Sequence, residues 1–192
     1  MKIIHHFIAA VFLLSATVGA QAGETYKFDS AGSTIGFEVH HFVGTAKGKF
    51  RRFSGTINLD RDHPENSSVS VRIEVKSIDT GIRKRDEHLD SAEFFDAAKF
   101  PEITFKSRSV KQAGHQTADV TGDFTMHGVT KPIVLRVTLI GEPAAEHLHW
   151  KVNTDPINRR DFDLMFSKTA EAISGIGRDV AIKIEIEATR AM

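Results

Sequence analysis

The 192-residue chain contains no cysteine. Disulfides, thiol nucleophiles, cysteine-ligated zinc and cysteine-ligated iron–sulfur clusters are excluded, so packing and hydrogen bonding alone must hold the fold. Net charge is also missing: 25 Lys and Arg stand against 25 Asp and Glu. Such a balance gives no broad field of one sign to hold nucleic acid. Tyr and Trp, the aromatics with a polar handle that favour protein interfaces, occur once each. The chain has no G-x-S-x-G elbow, no H-E-x-x-H pair, no repeat of fixed period and no low-complexity tract. Catalytic signatures are therefore absent, and no cofactor or metal is expected.

What is abundant is phenylalanine, with 14 residues in a chain that is 41% hydrophobic and 26% charged. That composition is globular, and the length suits a single domain with a large apolar interior. Residues 1–22 stand apart. Lys2 precedes an apolar run from Phe7 to Val18, and Ala20-Gln21-Ala22 has the small-x-small form of a cleavage site. This is the order of a secretory signal, and the run is short of the ~20 residues of a membrane span. The mature protein is expected to begin at Gly23 and to be periplasmic, with residues 23–192 forming one domain.

From residue 33 onward the pattern alternates with period two, the signature of half-buried strands. Eight such runs can be traced, each with one wet and one dry face, joined mostly by short turn-like links. One-sided strands with short links give an antiparallel up-and-down sheet, and closing it removes two exposed edges. The expected fold is all-β: a closed eight-stranded antiparallel barrel, with a two-sheet sandwich as the alternative. The dry faces nominate its lining. Phe37 and Val39 come from the first run, Phe50, Phe53 and Ile57 from the second and its approach, and Val71, Ile73 and Val75 from the third. The fourth and fifth give Phe105 and Phe124, the sixth Leu135 and Val137, the seventh Trp150, and the eighth Ile182 and Ile184. An eight-stranded barrel is either filled by its side chains or holds one ligand.

Two inserts interrupt the alternation. Residues 79–101 carry Leu89, Phe94 and Phe95 at roughly helical spacing and end at Pro101, predicting a short helical insert near residues 85–98 across one end of the barrel. Residues 155–177 hold Phe162, Leu164, Met165 and Phe166, a loop too apolar to lie wholly in water. Gly44–Phe50 (GTAKGKF) has a faint likeness to a phosphate loop but is one residue short and leads into a strand, so it reads as a hairpin turn. His41 falls on a dry face at a strand end, either as a core histidine or as a polar group at the barrel mouth. Arg83–His88 is the densest charge cluster, either a self-neutralising solvated segment or an anion-binding rim led by Arg85 and His88. His147 and His149 share a wet face without further ligands at motif spacing, which argues against a metal site.

Several stretches together resemble the YceI-like family of bacterial polyisoprenoid-binding proteins. They are Gly48–Ile57 (GKFRRFSGTI), Ser77–Thr80, Arg85–Leu89, Ser91–Asp96, Lys99–Phe105 (KFPEITF), Gly122–Pro132 (GDFTMHGVTKP), Asp161-Phe162 and the closing strand. They run in order through the whole chain after residue 22. Asp90 and Asp163 depart from the pattern, standing where many relatives carry Arg and Gly. The resemblance implies a lipocalin-like barrel that holds a polyisoprenoid or isoprenoid quinone, export to the periplasm, and association with a membrane di-haem cytochrome b. It implies binding and transport, not catalysis. Two other readings stay open from the residues: a lipid-modifying enzyme using His41 or His88, and a ligand-free, stress-related interaction protein. The oligomeric state is not encoded in any motif.

Overall fold

The computed structural model describes residues 23–142, 145–167 and 175–191. The signal-type segment 1–22 and the centre of the second insert, 168–174, lie outside the described residues. The described residues form twelve strands and one α-helix. The strands are β1 (Glu24–Asp29), β2 (Thr34–His41), β3 (Gly44–Phe50), β4 (Phe53–Leu59), β5 (Ser68–Glu74) and β6 (Ile78–Asp79), followed by helix α1 (Arg83–Asp90). Then come β7 (Glu102–Gly114), β8 (Thr117–Met126), β9 (Val129–Ile140), β10 (His147–Asn153), β11 (Ile157–Asn158) and β12 (Asp179–Arg190).

All strand pairs are antiparallel, and they reduce to eight staves because β1–β2, β3–β4, β5–β6 and β10–β11 are each one bent stave. Each stave pairs with its neighbour in sequence, and β12 returns to the first stave to close the barrel. Closure runs through one kink. β12 pairs with β2 as far as Glu185↔Thr34 and with β1 at Thr189↔Lys27. Between them the buried Ser33 hydroxyl accepts from Glu187 N at 3.0 Å and donates to Glu187 O at 3.3 Å. A serine at the bend thus takes over the ladder where the first stave turns its corner, leaving no backbone group of Glu187 unpaired. Two other breaks face each other: Arg51 N donates to Ser77 O at 2.9 Å, and Glu74 N to Arg52 O at 3.0 Å.

Three details differ from the sequence reading. Glu24–Asp29 is a strand, with Tyr26 and Phe28 buried. Gly44–Phe50 is strand β3 and not a turn; the turn is only residues 42–43. Its glycines hide the alternation, because Gly48 leaves room for the ring of Phe37, its direct partner in β2. Helix α1 spans Arg83–Asp90, and residues 91–99 continue as turns, so the insert is helical earlier than 85–98 suggests. A serine at 91 ends the helix, its Oγ donating to His88 O at 2.7 Å.

The two ends of the barrel differ. One carries the loop 60–67 and the hairpin tip 115–116. There Tyr26 is fully buried, its hydroxyl donating to Glu24 Oε2 at 2.9 Å and accepting from Arg61 at 2.8 Å. The other end carries the β2–β3 hairpin tip, α1, the tight His127-Gly128 turn with both φ values positive, and the second insert.

A candidate ligand cavity along the barrel axis

Inside the barrel is a cavity of about 1280 Å³. That exceeds the ~300–1,000 Å³ of ordinary small-molecule pockets. It runs nearly the length of the molecule, from Arg85 and His88 of α1 at one end to Arg61 and the Gln116 region at the other. The wall between is built from the inward positions of every stave, and two features make room in it. Val and Ile fill many inward positions, and Phe rings lie flat across glycines of adjacent strands. A Cβ on Gly48 would lie 2.4 Å from the Phe37 ring, and one on Gly122 would lie 2.5 Å from the Phe105 ring. Aromatic bulk is thereby spread along the wall and not projected across the lumen.

Of the nominated lining residues, Phe37, Val39, Phe50, Ile57, Val71 and Ile73 border the cavity, as do Phe105, Phe124, Leu135, Val137, Trp150, Ile182 and Ile184. Phe53 and Val75 do not. Both are buried in the core, but Phe53 opens β4 beside the Arg51–Arg52 break, and Val75 begins the 3-10 turn that interrupts the third stave. Phe53 is directly opposite the cavity-lining Ile73, and both Phe53 and Val75 belong to the same core cluster as Ile73, so they are buried in the core without reaching the cavity.

His41, Arg85 and His88 all border one mouth of the cavity, His41 on the hairpin and the other two three residues apart on one face of α1. Arg85 is pinned by Thr80, donating from Nε to the hydroxyl at 2.8 Å and from Nη2 to the carbonyl at 2.9 Å. Asp86 in turn accepts from Thr80 N at 2.9 Å. His88 Nε2 lies 3.0 Å from Glu93, and its ring meets Phe166 edge-on at 5.6 Å. Beside this mouth β3 pairs with β6 only at Lys49 and Phe50, so its Gly44–Gly48 edge has no strand on that side among the described residues, and Ile82 and Lys84 also border the cavity.

Arg159 is a site residue that the sequence reading missed. It is buried and borders the cavity, with its guanidinium donating to the carbonyls of Leu164 at 2.7 Å, Gly177 at 2.9 Å and Ile176 at 3.2 Å. It thereby binds both flanks of the second insert to the barrel, and places Phe166 to stack on Phe94 at 4.5 Å over the mouth. An arginine in an aperiodic loop gives no sequence signal of burial; only the apolar run Phe162–Phe166 hinted that the loop is tucked in.

At the opposite end Arg61 borders the cavity floor. Its ion pair with Glu24, 2.7 Å long, holds the Glu24 carboxyl below the usual carboxylate range, chiefly through the Arg61 hydrogen bond. Histidine–hydroxyl contacts occur at His40–Thr45 (2.8 Å) and His147–Thr189 (3.1 Å), both exposed and outside the cavity. No group of three His, Cys, Asp or Glu side chains is placed to hold a metal among the described residues.

The YceI-like domain signature matches residues 26–188. A UPF0312 protein of Ectopseudomonas mendocina is 37% identical over 181 residues, covering 88% of this chain and 95% of its own length. The protein YceI of Salmonella arizonae is 40% identical over 129 residues, 66% of this chain and 67% of its own. Among solved structures, Burkholderia cenocepacia BcnA superposes with a TM-score of 0.77 over 84% of this chain and 99% of that one, at 24% identity. A polyisoprenoid binding domain from Saccharophagus degradans gives a TM-score of 0.70 over 88% and 99%, at 16% identity. Those two superpositions establish the same barrel. With the signature spanning nearly every stave and relatives this similar, the chain belongs to the YceI-like family.

Proposed function

We infer that the protein is an exported binding protein without enzymatic activity, carrying one long apolar lipid, a polyisoprenoid or isoprenoid quinone, along the barrel axis. The observation that carries this reading is the cavity: long, overwhelmingly apolar, and polar only near its ends. At ~30 Å³ per water-sized group, its volume accepts about forty non-hydrogen atoms. The polyisoprenoid binding named for the Saccharophagus degradans domain agrees with a cargo of that shape.

The energetics suit a carrier. At ~0.8 kcal/mol per buried CH₂, a forty-carbon chain has a gross transfer term from water of roughly 30 kcal/mol. Non-covalent affinities saturate near ~20 kcal/mol, and the lipid starts in a bilayer, where most of that term is already satisfied. Net affinity is then set by fit and head-group contacts, and loading and unloading stay near balance. Arg85 and His88 are the head-group contacts of this reading, with His41 across the mouth. A membrane di-haem cytochrome b, the partner implied by the family, suits a quinone cargo. Export rests on residues 1–22 and predicts a mature N-terminus at Gly23.

The test is mass spectrometry of an organic extract from protein purified without detergent. A near-stoichiometric isoprenoid-type lipid is expected. Extracts free of lipid, with no uptake of quinones or polyprenyl lipids by the stripped protein, overturn the reading.

A further inference from the structure

Six large apolar side chains of the described residues are well exposed, and four of them gather at the α1 end. Phe42 (78% exposed) and Val43 (91%) form the tip of the β2–β3 hairpin, Ile82 (53%) leads into α1, and Met165 (51%) follows the buried Leu164 in the second insert. Ile82 borders the cavity itself, and His41, next to Phe42, does too. The hairpin tip is braced where it protrudes: the Phe42 ring lies against Gly175, where any Cβ would fall 2.3 Å from a ring carbon, and Gly177 N donates to His40 O at 2.7 Å.

We propose that this end docks on a lipid bilayer, with Phe42 and Val43 inserted among the acyl chains, so that the cavity mouth opens directly onto the membrane from which cargo is loaded. The proposal deepens the carrier reading and rests on it. The choice of occupant follows from the shape and chemistry of the patch. The apolar groups sit on separate loop tips around an opening, not on one flat face, and Tyr and Trp, the aromatic anchors of protein interfaces, are absent from it. The single Trp lines the lumen, and the single Tyr is buried at the opposite end. Cations stand behind the tips, where an inserted loop leaves its charges at head-group level. Lys47 and Lys183 share one carboxylate, Glu38, at 3.2 and 2.8 Å, and Lys84 at the mouth has no carboxylate partner among the described residues. Because the insertion is apolar, it does not require anionic lipid.

The experiment is flotation of the purified protein with phosphatidylcholine vesicles, with and without phosphatidylglycerol, alongside binding of a water-soluble short-chain quinone. The protein should float with both vesicles. Phe42→Ser/Val43→Ser should lower its partition coefficient at least tenfold, as loss of two buried apolar side chains implies. The same variant should keep its melting temperature and its quinone affinity. Val134→Ser/Ile140→Ser, which removes the other two exposed apolar groups, should float like the wild type. Quinone binding without flotation, equal flotation of the Phe42/Val43 variant, or flotation only with phosphatidylglycerol overturns the docking and leaves the carrier reading standing. A dimer in sedimentation velocity that the serine variant dissolves assigns the patch to a second copy instead, and also overturns it. Flotation of a wild type that binds no quinone strikes the carrier reading and with it the loading role, while the docking itself stands.

Discussion

Asp90 closes helix α1 with one carboxylate oxygen buried and without a hydrogen-bond partner. Burial pushes its pKa up, partly opposed by Lys76 and reinforced by Asp86. A carboxyl whose folded pKa lies above its unfolded value stabilises the fold most below the unfolded value, and that contribution is lost as pH rises through the folded one. At neutral pH the charge is therefore a cost. Asp90→Asn should raise stability in urea unfolding at pH 7 by about 1 kcal/mol, with the gain disappearing in acid. A loss at pH 7 would mean that the charge is used. Asp163 is the second position noted as a departure from the family pattern, and its backbone is one that suits glycine. It sits at φ 56°, closing the 3-10 turn Arg159–Phe162 in the left-handed region. Asp163→Gly should hold or raise the melting temperature, whereas Asp163→Val should lower stability by about 1–2 kcal/mol, because a β-branched side chain resists that conformation. Neither environment was visible in the sequence: Asp90 and Asp163 registered there only as unusual letters, since burial and φ depend on contacts made by the rest of the chain.

At the scale of elements, legibility followed periodicity. The third and eighth runs alternate without interruption, and β5 and β12 present those faces to the cavity with Val71, Ile73, Ile182 and Ile184 bordering it. Where glycine replaces a side chain the signal fails, as in β3, whose Gly48 exists to receive Phe37. Where a stave breaks, a dry-face position is buried in the core without lining the cavity, as for Phe53 and Val75. In the second insert the burial of Phe162 and Leu164 was legible, the exposure of Met165 was not, and neither was the tie, because the tie is one buried arginine to carbonyls that any sequence supplies. The pairing of Phe with Gly is itself open to test. Gly122 on β8 has no space for a methyl, since a Cβ would lie 2.5 Å from the Lys106 carbonyl oxygen as well as from the Phe105 ring. Backbone cannot yield as a side-chain tip does. Gly122→Ala should cost about 1–3 kcal/mol in urea unfolding, and Gly122→Ala/Phe105→Leu should recover only the part due to the ring. A neutral Gly122→Ala would show that the β7–β8 ladder relaxes freely.

For the molecule as a whole, the decisive question is whether the lumen is working space or packing tolerance, and Val71 can answer it. It lies mid-strand on β5 between Gly55 of β4 and Phe105 of β7, far from either insert, and borders the cavity. In a barrel filled by its own side chains, Val71→Phe overpacks the core and costs about 1–3 kcal/mol. In a barrel with a lumen of about 1280 Å³, the ring projects into open space, and stability of the lipid-free protein holds or rises slightly. Its cost then appears in binding. A ring halfway along the axis narrows the channel there, so long isoprenoids lose affinity while short ones, seated between Val71 and the α1 mouth, bind as before. Arg85→Ala should show the converse: affinity for lipids with an anionic head falls by about 1.5–3 kcal/mol whatever their length, and stability falls by about 1–2 kcal/mol as the two hydrogen bonds to Thr80 are lost. The two variants separate fit along the chain from grip on the head. Urea unfolding of the lipid-free proteins, with binding across a series of chain lengths, reads both. A large stability loss in Val71→Phe without chain-length dependence would mean that the lumen closes in solution, and the carrier reading would fall with it.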